Sequence, residues 1–151
     1  MSCRPRPHPA ALAAALVLGT SCSDATGPTA AAVAGRYALQ RVAGQPMPAA
    51  VQATSAVTVA QWATLTLNAD GTCVDAGRYR TTYGASALPP YERDQTLACT
   101  WTVRGGTVTL TYPSDAGPWS VAATFSGGNT LTVGADQPLN GAALYPRVYT
   151  K

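Results

Sequence analysis

Apolar and polar residues alternate with a period of two along most of the chain after Gly35. In residues 97–103, leucine, cysteine, tryptophan and valine alternate with alanine and threonine. Alternation of this kind is typical of β-strands that pack one face on a core and expose the other to water. Threonine suits the exposed face, because it is β-branched and still tolerates water. No segment in this region sustains a helical period, so the pattern predicts an all-β domain.

The alternation predicts eight strands that follow one another along the chain. Their predicted limits are 37–42, 57–67, 72–83, 96–103, 107–112, 119–126, 130–133 and 144–149. Turn sequences at 68–71, 104–106 and 127–129 are rich in Gly, Asn and Asp, and they are short enough to force hairpins. Longer connections, rich in Gly, Pro or Ser, are expected at 84–94, 113–118 and 134–143.

Eight antiparallel strands must hide the two edges of their sheet, and closure into a barrel removes both edges. We therefore predict an eight-stranded antiparallel up-and-down barrel. A sandwich of two sheets is the alternative, but it usually needs long crossing connections, and these connections are mostly tight. Side chains either fill a barrel of eight strands or leave room in it for one small ligand.

The first residues of the chain have the features of an export signal. Arg4 and Arg6 precede an apolar run at 10–19, and small residues lead from this run into Cys22. The run is half the length of about 20 residues that a membrane-spanning helix needs, whereas a secretory signal needs only this order of charge, apolar core and small residues. The segment resembles a bacterial lipoprotein signal, which implies that 1–21 are removed and that Cys22 carries the lipid. Cleavage by an ordinary signal peptidase near residues 30–34 is the alternative, and it would give a periplasmic or secreted protein.

A lipid on Cys22 would tether the protein to the outer membrane or the cell surface. Ser23 stands where the inner-membrane retention signal of such lipoproteins has aspartate. Residues 22–34 are small, polar and free of aromatic residues, which predicts a flexible tether. Residues 35–151 then suit one domain with one core. Without the signal, eight basic residues face seven acidic ones, and so small a net charge does not favour a nucleic-acid partner.

Cys73 and Cys99 are the two cysteines that remain once Cys3 leaves with the signal and Cys22 is acylated. An even pair in an exported domain favours a disulfide, which would contribute roughly 3–4 kcal/mol to stability. A metal site is not favoured, because no Cys-x-x-Cys spacing exists and the one histidine, His8, lies in the signal.

Residues that could carry acid–base chemistry are scarce in the predicted domain. It contains no histidine, and its one lysine is Lys151 at the end of the chain, so no serine has an evident activating base. The acidic residues, Asp75 among them, are interpreted as mostly isolated turn residues, and they form no calcium-binding series. We expect neither enzyme activity nor a cofactor.

The sequence Gly35-Arg36-Tyr37, followed by VAGQPMPA at 42–49, resembles the opening of short bacterial lipocalin-like lipoproteins. Those chains begin G-x-Y and continue with a turn of the NGQPLP type. True lipocalins begin G-x-W and pack a basic residue of the last strand over that tryptophan. The resemblance implies that Arg147 lies over Tyr37 in a cation–π contact of about 0.5–2 kcal/mol. Because the chain is shorter than a typical lipocalin, any cavity is expected to be small.

Aromatic residues on the apolar faces of the strands could either fill the core or line a site for a small apolar ligand. The candidate lining residues are Trp101, Trp119, Tyr112, Phe125 and Tyr83, with the loop 84–94 as a lid. Trp62 is out of phase with Leu65 and Leu67, which predicts an exposed tryptophan or a β-bulge. No basic stripe accompanies the aromatic residues, which argues against single-stranded nucleic acid.

Two functions remain open on the sequence alone. The first is a monomeric, lipid-tethered barrel that holds a small hydrophobic molecule, and it predicts an open internal cavity. The second is a structural or interaction module of the envelope with a filled interior, similar to small β domains of the META type. It predicts no cavity and an exposed apolar patch. The fold by itself does not decide between them.

Overall fold

The computed structural model describes residues 27–53, 56–84, 88–135 and 145–151. Over these ranges the chain forms one helix, α1 (Ala30–Val33), and ten strands. The strands are β1 (Gly35–Val42), β2 (Gln45–Pro46), β3 (Ala49–Ala53), β4 (Ala56–Leu67), β5 (Thr72–Tyr83), β6 (Tyr91–Arg104), β7 (Thr107–Tyr112), β8 (Trp119–Ser126), β9 (Thr130–Val133) and β10 (Arg147–Thr150). In the described ranges, no helix has the length and hydropathy needed to cross a membrane.

Eight of these strands form a closed antiparallel barrel. Strands β4 to β10 pair in the order of the sequence, β10 pairs with β1, and β1 pairs back with β4. The closing contact places Gly35 opposite Leu67 and Tyr37 opposite Leu65. The predicted eight-stranded up-and-down barrel is confirmed. The two-sheet sandwich is wrong, because strand pairing continues around the whole ring.

Most strand limits agree with the alternation. β5, β7, β8 and β9 begin and end at the predicted residues. The sequence predicts a loop at 84–94, but β6 already begins at Tyr91. Three charged residues at 92–94 interrupt the apolar alternation there, so the pattern does not reveal the first part of β6. Residue 144, the predicted start of the last strand, lies outside the described residues.

The connection from β1 to β4 contains two strands that the alternation does not predict. β2 folds back on β1 through a turn at Ala43 and Gly44, which have φ angles of 49° and 79°. β3 pairs with β4 alongside the part of β4 that β1 does not reach. These strands have two and five residues, which is too short for a period of two to stand out.

The two ends of the barrel differ in how the strands are connected. At one end, here called the closed end, the strands are joined by the short turns 68–71, 105–106 and 127–129. At the other end, here called the open end, the connections 43–55, 84–90, 113–118 and 134–146 are all longer. Glycine serves the short turn of β6 and β7, because Gly105 and Gly106 both have positive φ angles.

Helix α1 packs against the closed end of the barrel. Thr29 caps its N-terminus, and Val33 is completely buried. The Tyr37 hydroxyl donates a hydrogen bond to the Val33 carbonyl, and Lys151 Nζ donates one to the Ala32 carbonyl at 2.9 Å. Residues 27–34 therefore belong to the folded domain and not to the predicted tether 22–34. The rest of that tether, the signal 1–21 and Cys22 lie outside the described residues.

Side chains from the inner faces of the strands occupy the described interior. The largest that are completely buried are Tyr37, Tyr149, Leu65, Leu67, Leu110 and Leu131. Cys73 and Cys99 lie opposite each other on β5 and β6 and form the predicted disulfide within this core. The disulfide is typical of proteins that fold in an oxidising compartment outside the cytosol.

Candidate functional site

An ion pair is buried inside the barrel. Asp75 faces inward from the first third of β5, and Arg147 faces inward from the start of β10. The Arg147 guanidinium lies 3.7 Å from Asp75 Oδ2, and the two residues are 9% and 7% exposed. Burial of charged groups costs several kcal/mol per ion unless a partner and hydrogen bonds offset it. Such a pair is therefore the least expected feature of an otherwise apolar core.

Three tyrosines surround this ion pair. The Tyr112 hydroxyl donates a hydrogen bond to Asp75 Oδ2 at 3.2 Å. Arg147 Nη1 donates to the Tyr149 hydroxyl at 3.5 Å, and Tyr79 lies on the same face of β5 as Asp75. We call these five residues the interior polar cluster. Within the described part of the chain, Asp75 Oδ1 is buried and accepts no hydrogen bond.

Burial dominates the electrostatics of the interior polar cluster. It raises the pKa of the Asp75 carboxyl, although the Arg147 charge and the Tyr112 hydrogen bond act in the opposite direction. It also raises the pKa of Tyr79 to about 12 and that of Tyr112 above the usual range of a phenol. Burial alone would lower the pKa of Arg147, but Tyr149 and Asp75 more than offset this, and the pKa is raised. Arg147 therefore stays charged inside the barrel.

The alternation of β5 contains the signal for Asp75, which the turn interpretation missed. Cys73, Asp75 and Gly77 share the inward face of this strand, and they follow each other at a spacing of two. The interpretation of Asp75 as a turn residue is wrong, because the strand continues through it to Tyr83. Asp70, in contrast, does lie in the predicted turn, where its carboxylate accepts hydrogen bonds from the backbone and side chain of Thr72.

The five candidate lining residues lie in different parts of the barrel. Trp101 is buried, and its indole donates a hydrogen bond to the Asn68 carbonyl in a closed-end turn. Phe125 is half-buried at the same end, where its ring centroid is 5.7 Å from Lys151 Nζ. The other three lie toward the open end. The five residues are therefore spread over both ends of the barrel.

Two pairs of stacked rings involve the remaining candidates. Tyr112 stacks on Trp119 with ring centroids 4.4 Å apart, between the ends of β7 and β8. Tyr83 stacks on Tyr91 at 6.2 Å, where β5 and β6 reach the open end. The first pair is continuous with the interior polar cluster through Tyr112, whereas the second is partly exposed.

The cation over Tyr37 is Lys151. Its Nζ lies 5.1 Å from the centre of the Tyr37 ring. The pairing of β1 with β10 places Arg147 opposite Val42, five residues along β1 from Tyr37. Five residues of strand span roughly 16 Å, so the expected contact of Arg147 with Tyr37 is replaced by the contact with Lys151. The register of the closing strand decides this, and it cannot be read from local alternation.

Trp62 is exposed on the outer face of β4, and both predictions about it are confirmed. The register of β4 and β5 shifts between Ala60 and Trp62, which marks a bulge, and Trp62 is 46% exposed. Trp62 lies opposite Arg78, which forms two hydrogen bonds of 2.8 and 3.0 Å with Asp94 on β6. These bonds lower the pKa of the Asp94 carboxyl. Further exposed large apolar residues are Val57, Val74, Leu88 and Tyr91.

The edge of β6 toward β7 is only partly paired. β7 pairs with β6 over Thr100–Arg104, whereas Tyr91–Ala98 of β6 pairs with β5 alone. An open groove of about 260 Å³ lies where the two strands separate. Its lining residues are Ala98, Cys99, Thr100, Thr111, Pro113 and Pro118. The free edge and the groove form a continuous surface on the outside of the barrel.

In the described ranges, no cluster of three or more His, Cys, Asp or Glu residues is arranged to hold a metal ion. Comparisons of the chain with protein-family models, with curated proteins and with solved structures found no match.

Proposed function

We propose that this chain is a non-enzymatic interaction module of the bacterial cell envelope, held there by a lipid on Cys22. In this proposal the closed barrel is a filled scaffold and its outer surface makes the functional contacts. The single observation that carries it is the packed interior, in which tyrosine, leucine and valine side chains and the buried ion pair occupy the space between the strands. A filled interior is what we expect for the second function considered in the sequence analysis, the structural or interaction module similar to META-type domains.

The outer surface supports the same function. The exposed Trp62 lies on the outer face of β4, opposite Arg78 of β5, which forms the ion pair with Asp94 of β6. Aromatic residues and arginine are enriched where proteins bind each other.

Export and anchoring rest on separate observations. The Cys73–Cys99 disulfide supports folding outside the cytosol. The lipoprotein-like signal supports acylation at Cys22, and the lipocalin-like opening at 35–37 is compatible with the barrel. Lipid attachment is tested by expressing the full chain in a bacterial host as wild type, Cys22→Ser and, as matched control, Cys3→Ser. We expect labelled fatty acid on the wild type and on Cys3→Ser only, and label on Cys22→Ser would refute the anchor.

The filled interior is tested by native mass spectrometry of the protein purified from that host. We expect the mass of the mature lipidated chain with nothing else bound. A small molecule that copurifies in a one-to-one ratio and is released on unfolding would refute the filled module.

The ligand-binding barrel is the second candidate, and one observation favours it. Asp75 Oδ1 is buried without a hydrogen bond, and a small apolar ligand with one hydroxyl or amide donor would satisfy it. The same mass measurement on Asp75→Asn decides between the two. Under the second candidate the variant loses the copurifying ligand, and under the first neither protein carries one.

A further inference from the structure

The free part of β6 is a consequence of the proline that follows β7. β6 has fourteen residues and β7 has six. β7 ends at Tyr112 and is followed by Pro113, which has no backbone N–H and so cannot continue the ladder. The chain then turns away toward Pro118 and β8. Residues Tyr91–Ala98 are left at the edge of the sheet by this early end of β7.

Pairing with β5 keeps the free edge of β6 in a regular strand conformation. β5 pairs with β6 in unbroken register, from Thr72 opposite Thr100 to Thr81 opposite Tyr91. β4 pairs with β5 along the same length. In an antiparallel ladder every second residue directs its N–H and C=O away from its partner strand. Within the described part of the chain, these groups of Tyr91–Ala98 have no partner strand. An edge of this kind is a template for one more strand.

The groove lies where a strand added to this edge would meet β7. Ala98, Pro113 and Pro118 give it apolar walls, and the threonines at 100 and 111 complete it. Proteins that bind peptides by strand addition gain affinity from the backbone and selectivity from pockets for alternate side chains. A groove of about 260 Å³ has room for one aliphatic side chain of the added strand.

Charges along the edge define the rest of the sequence that fits. Asp94 is already bonded to Arg78, and Glu92 lies opposite Arg80. Arg93 is exposed on the other face of β6, opposite Tyr79. An acidic residue placed across from Arg93 would form a favourable cross-strand pair. The groove at Ala98 is five residues from Arg93, which sets the spacing between the acidic and the aliphatic residue.

The same charges disfavour two registers in which a second copy of this chain would be the added strand. Symmetric pairing about an axis perpendicular to the sheet and centred on Arg93 would place Glu92 opposite Asp94. Centred on Asp94, it would place that residue opposite its own copy. Like charges that lie directly opposite each other destabilise a strand pair.

We propose that the free edge of β6, Tyr91–Ala98, binds an extended segment of a partner protein as an added antiparallel strand. The segment has an aliphatic residue for the groove and an acidic residue five positions further on, opposite Arg93. This inference rests on the proposed function, because it names the surface and the kind of partner through which the filled module acts.

A synthetic peptide tests this proposal on the full chain. The peptide TLTVTVET, capped at both ends, has leucine at its second and glutamate at its seventh position, as antiparallel pairing requires. We expect saturable binding by fluorescence anisotropy and slower amide hydrogen exchange confined to β6 residues 91–98. Absence of saturable binding, or protection elsewhere in the barrel, would overturn the proposal.

Surface variants with a matched control identify the groove. Ala98→Arg puts a charge into the groove, whereas Thr102→Arg places the same side chain on the same exposed face of β6, beside β7. In Ala98→Arg the peptide leucine can no longer be buried in the groove, so we expect this variant to bind the peptide at least roughly tenfold more weakly than the wild type does. Thr102→Arg should bind the peptide as the wild type does. Equal effects of the two variants would contradict the role of the groove and overturn the proposal.

Exchange of the charges at Arg93 and at the facing peptide residue tests the register of the added strand. This test looks for a gain of binding, so a variant that merely fails to fold cannot produce the expected result. Arg93→Glu should weaken binding of TLTVTVET by about two- to fivefold and bind the lysine peptide TLTVTVKT better than the wild type does. Failure of the lysine peptide to recover binding would overturn the register.

Protection of 91–98 that grows with protein concentration in the absence of peptide would identify a second copy as the occupant and refute a partner segment. The native mass spectrometry that tests the filled interior is independent of these peptide-binding experiments. A bound small molecule would refute the filled module even if the peptide binds, and failure of the peptide would leave the filled module in place.

Discussion

The interior polar cluster allows a sharp test of what the buried charges do for the fold. Asp75→Asn keeps the size of the side chain but removes the carboxylate that lies 3.7 Å from Arg147. An arginine cannot give up its proton in a protein, so its charge stays in the core. Removal of one partner of a buried pair costs about 3–5 kcal/mol. We expect Asp75→Asn to lower the free energy of unfolding by that amount.

The reverse change should cost less. In Arg147→Met the remaining Asp75 can bind a proton and become neutral, and its pKa is already raised by burial. The double variant Asp75→Leu/Arg147→Met removes both charges, and such exchanges are typically neutral or stabilising by about 1–4 kcal/mol. The expected order of stability is therefore double variant, then Arg147→Met, then Asp75→Asn.

Urea unfolding followed by tryptophan fluorescence measures these differences, with the disulfide kept intact. The matched control is Arg78→Met, which breaks the exposed pair with Asp94 and should leave the free energy of unfolding nearly unchanged. A loss below about 1 kcal/mol for Asp75→Asn would refute the reasoning. It would mean that the interior of the barrel screens charge as well as its surface does.

Three further predictions concern pH, the disulfide and the β1–β2 turn. Because burial raises the folded pKa of Tyr79 to about 12, the wild type should lose stability relative to Tyr79→Phe as pH rises from about 10 to 12, and a constant stability difference would contradict this. Replacement of both Cys73 and Cys99 by serine opens a loop with a sequence separation of 26 and should cost about 3.5 kcal/mol in urea unfolding; a loss below 1 kcal/mol would show that the unfolded chain is not constrained. Ala43→Gly relieves a positive φ of 49° and should raise the thermal midpoint, with a gain of up to about 1 kcal/mol, whereas a lower midpoint would exclude strain at this turn.

The sequence predicts the barrel well where a strand lies between two short turns. β7 is an example, because Gly105-Gly106 fixes its beginning and Pro113 its end, and threonine alternates with apolar residues between them. Such local signals are enough to predict the order of the strands. Closure of eight consecutive antiparallel strands into a barrel is then favoured, because it pairs the backbone groups of the two edge strands. The number of strands in the closed barrel follows from this reasoning, whereas the disulfide follows from the cysteine count.

The site depends on information that local patterns do not contain. Arg147 and Asp75 are 72 positions apart in the sequence, and only the closure of the ring brings them together. The free edge of β6 was hidden for a related reason, because charged residues at 92–94 look like a loop. Edge strands often carry charges, since charges discourage uncontrolled pairing, and this removes the alternation by which strands are recognised.

The position of helix α1 determines which way the molecule would face at a membrane. Gly27 lies beside the turn of Gly105 and Gly106 at the closed end. Cys22 is five positions before it in the sequence, a reach of at most about 18 Å. A lipid on that cysteine would hold the barrel upright with its short turns toward the bilayer. The long connections and the start of β6 would then point away from the lipid, toward whatever lies across the periplasm or outside the cell.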